Sequence, residues 1–360
     1  MNQAKNYSCQ RYTLSIIGTF YSLALLIIFA ATGLSKVLEQ ALFGILSKHY
    51  LVLPAYLLVI SLAYYLLDFP LNFYGSFLLE RKFSLSKQKF GNWFSDQLKA
   101  GVVSYIIALV LIYAFYYILE NNPQYWWLAI SLFWIFFSLV LARLTPIIII
   151  PLFFKYKKLS DEDLRSRIMR LAEKMKVRII DCFEIDFSKK TLKANAAFVG
   201  MGKSRRVILA DTLKDKYSAD EIEVILAHEF AHYRLKHLWK LVIFNSAVTV
   251  VLFYLIFKTS NHVLSAFGLN SLSELAALPI ILIYFLLFGL ATQPLGNFFS
   301  RKLEKNADKM ALEVTGKKEA FISMMNKLAE QNLADRKPHP IIKFFFFDHP
   351  PIDERISPIK

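Results

Sequence analysis

Ser218-Ala219-Asp220-Glu221 followed by Ile222-Glu223-Val224-Ile225-Leu226-Ala227-His228-Glu229-Phe230-Ala231-His232 is the stretch on which the fold turns. Its first four residues form a capping box, in which the Ser hydroxyl accepts from the amide three residues on and Glu221 reaches back. Apolar residues then recur at Ile222, Ile225 and Leu226, and again at Leu235 and Leu238. With no Pro or Gly between Ser218 and Gly268, the spacing predicts one uninterrupted helix. Four residues advance a helix by about one turn, so His228 and His232 project from one face. Two imidazoles stacked in this way suit a tetrahedral metal ion, zinc above all. Glu229 stands beside them as a base for an attacking water without being a ligand itself. His237 lies five positions beyond His232, about 140° round a continuous helix, and is not expected to be a ligand. The third ligand must come from elsewhere.

The chain has 360 residues, of which 56% are hydrophobic and 15% aromatic, too apolar for an ordinary soluble protein. A bilayer core needs about 20 mostly apolar residues in a helix. Six runs meet that length, at 12–35, 51–79, 101–119, 126–153, 241–257 and 275–299. The first follows Lys5 and Arg11 but is too long and continuous for a cleaved signal, so it reads as an anchor.

The formal charge of +15 is distributed in a way that argues against nucleic acid as a partner. Lys and Arg crowd into residues 80–100, 155–240 and the tail after Phe299, and are missing from the loops at 120–125 and 259–274. This alternation follows the positive-inside rule. It predicts cytoplasmic amino and carboxyl termini, two cytoplasmic polar segments and an even number of spans, with the lipid bilayer as a partner. Cys9 and Cys182 are too few and too far apart for a disulfide framework or thiolate site.

Residues 1–154 therefore read as a membrane domain of four spans with short connections. Phe90, Trp93, Phe94 and Leu98 suggest an interfacial helix on the inner leaflet. Asp68, the one acidic residue well inside a span, points to a wet cavity. Residues 155–360 take on the composition of a soluble module interrupted by two further spans. Leu164, Ile168, Leu171 and Met175 form the stripe of a helix. Residues 177–187 alternate as a strand, and 195–200 with 206–210 read as a hairpin around Met201–Ser204. Helix, strands and then a metal-bearing helix is the order of zincin peptidases. The predicted fold is a predominantly α-helical polytopic membrane protein with a zincin-like α+β metallopeptidase domain.

After the last span, Glu304 and Asp308 lie four apart on one helical face. Glu304 would complete a His₂Glu set with an open fourth position, and Asp308 could orient a ligating histidine. An exposed charged helix is the competing reading. Two spans between His228 and Glu304 return both to the same side.

These motifs resemble the M48 membrane metallopeptidases, in particular the Ste24-type CAAX prenyl proteases. The resemblance rests on His228–His232, Glu304-x-x-Ala307-Asp308, Asn195-Ala196-Ala197-Phe198-Val199-Gly200, Ile208–Leu213 and Asp348-His349-Pro350-Pro351-Ile352-Asp353-Glu354-Arg355. It implies Zn²⁺, one per chain, on His228, His232 and Glu304, with Glu229 as general base. It also implies that His349 and Arg355 flank the scissile carbonyl as donors and that Asn195 helps position the substrate strand. The chain departs from the family in Ala231 for the usual Gly, in Tyr233 for the usual Trp, and in six spans rather than the seven of eukaryotic members. The expected activity is a membrane zinc endopeptidase acting near the cytoplasmic face on a peptide or protein, lipidated or membrane-embedded. The expected site is the inner membrane of a prokaryotic cell, or the endoplasmic reticulum membrane of a eukaryotic one. Competing readings are a heat-shock-type quality-control protease and a transporter or channel with a metal-sensing domain.

Overall fold

The computed structural model describes residues 3–200 and 205–359. It begins with α1 (Gln3–Ala31), α2 (Leu34–Ile45) and α3 (Val52–Phe73), which runs through a π-turn into α4 (Leu79–Lys82). The long α5 (Phe90–Asn121) and α6 (Trp126–Leu144) follow, then the short α7 (Ile150–Phe153). The next elements are β1 (Tyr156–Lys158), α8 (Glu162–Lys174), β2 (Cys182–Ile185), β3 (Ala196–Val199), β4 (Arg206–Ala210) and α9 (Asp211–Lys214). The chain ends with α10 (Ala219–Arg234), α11 (His237–Ala266), α12 (Leu278–Thr315), α13 (Lys318–Gln331), α14 (Pro340–Phe346) and α15 (Ile352–Ile356).

Among the described residues, six helices are long and apolar enough to cross a membrane, matching the six runs in the sequence. Their packing partners trace a closed ring: α1 on α3, α3 on α5, α5 on α6, α6 on α11, α11 on α12, and α12 back on α1. Buried residues make up 6% of the apolar window in Gln3–Ala31 and 11% of that in Phe90–Asn121, rising to 39% in Leu275–Thr315. Much of the apolar surface of these helices is therefore not covered by the protein itself. Asp68 sits half-buried on α3.

One end of the ring is closed by apolar packing and a cap. Tyr56, Trp126, Ile130, Phe253 and Ile280 form a buried cluster there. The Glu39 carboxylate of α2 accepts from the amides of Leu275 and Ala276 at 2.9 and 3.1 Å, satisfying the start of the last span. The other end carries the soluble module, a four-stranded sheet of order β1-β2-β4-β3. A core of Leu164, Ile168, Leu209, Leu226, Phe230 and Phe321 joins this sheet to its helices. Tyr7 and Glu80 reach Lys193 of the module, so the start of α1 and the end of α4 share its side.

Four expectations are corrected. The helix from Ser218 is not continuous: Lys236 adopts φ 55°, and α10 ends before α11 begins at His237. The last turn of α10 tightens (Lys236 N–H to the Tyr233 carbonyl, 3.0 Å), and no sequence breaker announces it because packing of α10 in the module and α11 in the ring sets the angle. The aromatic segment from Phe90 is no separate interfacial helix but the start of α5. Trp93 is buried against Phe73 and Phe77 and donates to Ser76 at 3.0 Å. The connection after α1 is not a short loop, because Gly33 at φ 73° turns the chain into α2. The strand expected over 177–187 contracts to Cys182–Ile185, since Val177 N–H is taken by Ala172 in closing α8. The strand β1, paired antiparallel to β2, was not anticipated. The β3–β4 hairpin pairing is present, with Ala196 opposite Leu209; its turn, Met201–Ser204, lies outside the described residues.

Candidate active site

The start of α10 is built as the sequence indicates, with Glu221 N–H donating to the Ser218 hydroxyl and Ser218 N–H to Glu221. On its next turns, Ala227 and Ala231 are fully buried, as are Ala307 and Ala311 of α12. Small residues at four-residue spacing let these two helices approach closely. Glu304 and Asp308, also buried, are thereby carried to the histidines.

Three donor atoms converge. Nε2 of His228 and His232 lie 3.1 Å apart, and the Glu304 carboxylate is 3.1 Å from the first and 3.2 Å from the second. A ligand atom from each residue falls within a 4.8 Å group, the spacing of ligands round one metal ion. Glu304 Oε2 is buried and faces the His228 imidazole, 3.1 Å from its Nε2. A lone pair so placed, beside two imidazole nitrogens, fits a Lewis acid better than a hydrogen-bond donor.

A second layer holds the imidazoles. Asp308 lies 2.9 Å from His228 Nδ1, and Arg355 grips both oxygens of Asp308, with Nε at 2.8 Å. His237 Nδ1 is 2.9 Å from His232 Nδ1, brought there by the turn at Lys236. The carboxyl-terminal His349 approaches Glu304 at 3.4 Å while its Nδ1 meets Asp348 at 2.9 Å. The side chains expected from sequence at His228, Glu229, His232, Glu304, Asp308, His349 and Arg355 are thus assembled within one neighbourhood. Arg355 faces Asp308. Asn195 stands apart at the start of β3, exposed, with its carbonyl accepting from Ala210.

The charges follow from these contacts. Burial disfavours the cationic form of His228, but Asp308 and Glu304 outweigh it and hold the metal-free imidazole at about 9. Burial pushes the Glu229 carboxyl up, against the pull of His228 and His232. Asp348 raises His349 despite burial. Asp348 and His237 are the residues the sequence reading missed. The first could have been found as an acid adjoining a site histidine. The second could not, because a straight helix points it away.

The edge of the sheet completes the site. Phe198 of β3 packs its ring on Phe230 and Tyr233 of α10, at centroid distances of 5.3 and 5.7 Å. The antiparallel register pairs Ala197 with Ile208. Since Asn195 already bonds Ala210, alternation turns the backbone groups of Ala196 and Phe198 to the open edge beside α10.

Comparison with known proteins agrees with this arrangement. The model of peptidase family M48 matches residues 158–360, and that of the CAAX prenyl protease N-terminal region, described as five membrane helices, matches residues 1–155. In that half, four helices among the described residues reach span length and α2 has twelve residues. An uncharacterized metalloprotease, YhfN, of Bacillus subtilis is 30% identical over 98% of this chain and 84% of its own. CAAX prenyl protease 1 of Saccharomyces cerevisiae is 28% identical over 99% of this chain and 84% of its own. The crystal structure of S. mikatae Ste24p superposes with a TM-score of 0.90 at 25% identity, covering 99% of this chain and 88% of that one. Motif, fold and full-length similarity agree: the chain belongs to peptidase family M48, as a multi-span membrane metalloprotease of the Ste24 type.

Proposed function

We propose that His228, His232 and Glu304 hold one zinc ion, and that the chain uses it to cut peptide bonds at the cytoplasmic membrane face. The observation that carries this is the convergence of two imidazoles and a buried carboxylate from two helices. Bound there, zinc would supply Lewis acidity for the scissile carbonyl and for the attacking water. In this reading residues 1–154 are the membrane domain and 155–360 the peptidase domain.

Each protein group then has a task. Glu229 takes the proton of the attacking water and passes it to the leaving amine, and its raised affinity for protons suits both steps. His349, kept protonated more readily by Asp348, donates to the oxyanion that develops on the carbonyl. Asp308 fixes the His228 tautomer so that Nε2 faces the metal, and His237 does the same for His232. Arg355 acts through Asp308 as a positioning residue. An extended substrate pairs with Ala196 and Phe198 by main-chain bonds, which demand backbone more than side-chain identity, and Asn195 lies where that strand passes. The substrate is a peptide or protein, lipidated or membrane-embedded; the lipidated kind is supported by the name of the S. cerevisiae relative, CAAX prenyl protease 1. The membrane is the inner membrane in a prokaryotic cell or the endoplasmic reticulum membrane in a eukaryotic one.

The test is digestion of membrane-extracted peptides by protein in detergent, with cuts mapped by mass spectrometry. Cuts that vanish with a chelator and return with zinc support the reading; cuts indifferent to metal overturn it. The side of the membrane is checked separately with single cysteines at Ser265, Ser188 and Ser323, all exposed positions, after Cys9 and Cys182 are replaced. An impermeant thiol reagent is expected to label position 265 on intact cells, and 188 and 323 only after permeabilisation. Equal labelling of all three would sink the proposed topology.

A further inference from the structure

One face of α12 follows the carboxyl-terminal tail from Lys343 to Arg355. Asn297, Arg301, Glu304 and Asp308 are spaced four, three and four residues apart, which puts them in one stripe along the helix. Glu304 and Asp308 meet His349 and Arg355. The other two meet the end of α14, where the last carbonyls of a helix lack partners within it. Arg301 Nη1 donates to the carbonyls of Lys343 and Phe347, the first at 3.2 Å. Asn297 Nδ2 donates to the Phe345 carbonyl at 2.6 Å and faces that of Phe344 at 3.4 Å. A guanidinium there also meets the negative end of the helix dipole.

This clamp sits just before His349. Phe347 is extended (φ −108°, ψ 105°), and two such residues advance about 7 Å. Along α12, the three residues from Arg301 to Glu304 advance about 4.5 Å. The two paths run the same way, and His349 arrives at Glu304. One edge of its ring is desolvated at the site, yet 54% of the side chain is exposed. Packing therefore does not fix the ring; the backbone on either side must. Beyond it, Pro350 and Pro351 are buried and Arg355 is held by Asp308. Before it, the chain is held by Arg301 and Asn297. Asp348 turns the ring but does not anchor it, being 67% exposed itself.

We infer that Arg301, with Asn297 beside it, is a positioning residue for the reaction: it holds the chain at 343–347 so that His349 reaches the scissile carbonyl. The same helix then carries Glu304 and the anchor of the oxyanion donor, so one rigid element sets the distance between them. A misplacement of about 1 Å can cost about 100-fold in rate. Loss of the clamp should therefore act on turnover and leave the metal in place. This inference rests on the peptidase reading and on His349 as donor to the oxyanion.

The test is a double-mutant cycle on the shortest peptide cut in the digest above, read beside zinc content and hydrogen exchange. Arg301→Gln is expected to lower kcat about 10–100-fold, with KM within about twofold and zinc at the native level. Arg301→Lys, which keeps a cationic donor, should recover part of that loss. In a His349→Ala background, Arg301→Gln should lower kcat by less than about twofold, because the group it positions is gone. Exchange should quicken over residues 340–350 and stay native over α10. Equal loss in both backgrounds, loss of zinc, or exchange that spreads to α10 shows a general structural effect and overturns the inference. Native kcat in Arg301→Gln overturns it too. Should Arg301→Gln not fold, Asn297→Ala carries the same cycle, with an expected loss of about fivefold. Metal-dependent cutting at the native rate in His349→Ala removes this inference and leaves the peptidase reading standing. If no peptide is cut in a metal-dependent way, the peptidase reading itself falls, and the clamp with it.

Discussion

Glu229→Gln is expected to retain about one zinc per chain while peptide cleavage falls by about 10²–10⁴-fold. The amide preserves the shape of the carboxylate but cannot accept the water proton. Glu229 is not among the convergent donors, so metal content should stay at the native level in elemental analysis. Its environment makes the prediction sharp. The carboxyl is largely desolvated and raised by burial, so it is suited to gain a proton in one step and lose it in the next. Near-native turnover in this variant would remove Glu229 from the mechanism.

Glu304→Ala should have the other large effect, losing most of the zinc and with it all measurable cleavage. Removing this carboxylate leaves two imidazoles on one helix, one ligand short of a catalytic site. Asp308→Asn offers a graded comparison, since weakening the partner of a ligating histidine costs about 10–100-fold in metal affinity or activity. The sign of the pH effect follows from His228. In the metal-free protein its pKa is raised to about 9, so below that pH a proton must leave before the metal binds. Zinc affinity of the apoprotein should therefore weaken by about tenfold for each unit that pH falls below 9. Full zinc occupancy in Glu304→Ala, measured beside the native protein, would show that the third ligand is misassigned.

Much of this molecule was legible in one dimension because its determinants are local or periodic. The capping box before α10, the i,i+4 histidines and the six apolar runs each act within a few turns of helix, and each is present as read. Glu304 and Asp308 were legible through topology, since two crossings return the chain to its starting side. What the sequence could not express was the angle between elements. No Gly or Pro marks the turn at Lys236, yet this turn sends α11 into the ring and swings His237 behind His232. Nothing before Phe90 indicates that its aromatic run packs against α3 rather than lying flat on a membrane.

The carboxyl-terminal residues make the same point at the site itself. A His before two prolines and an Arg six residues later carry no chemistry on their own. They acquire it because the tail returns past α12, bringing His349 to Glu304 and Arg355 to Asp308. Hydrophobic periodicity and capping depend on neighbours a few residues apart, so the sequence by itself determined the spans and the helix that carries His228 and His232. Meeting points between distant segments depend on which faces bury together, so only the tertiary structure decided what stands behind His228 and His232 and which edge of β3 stays open.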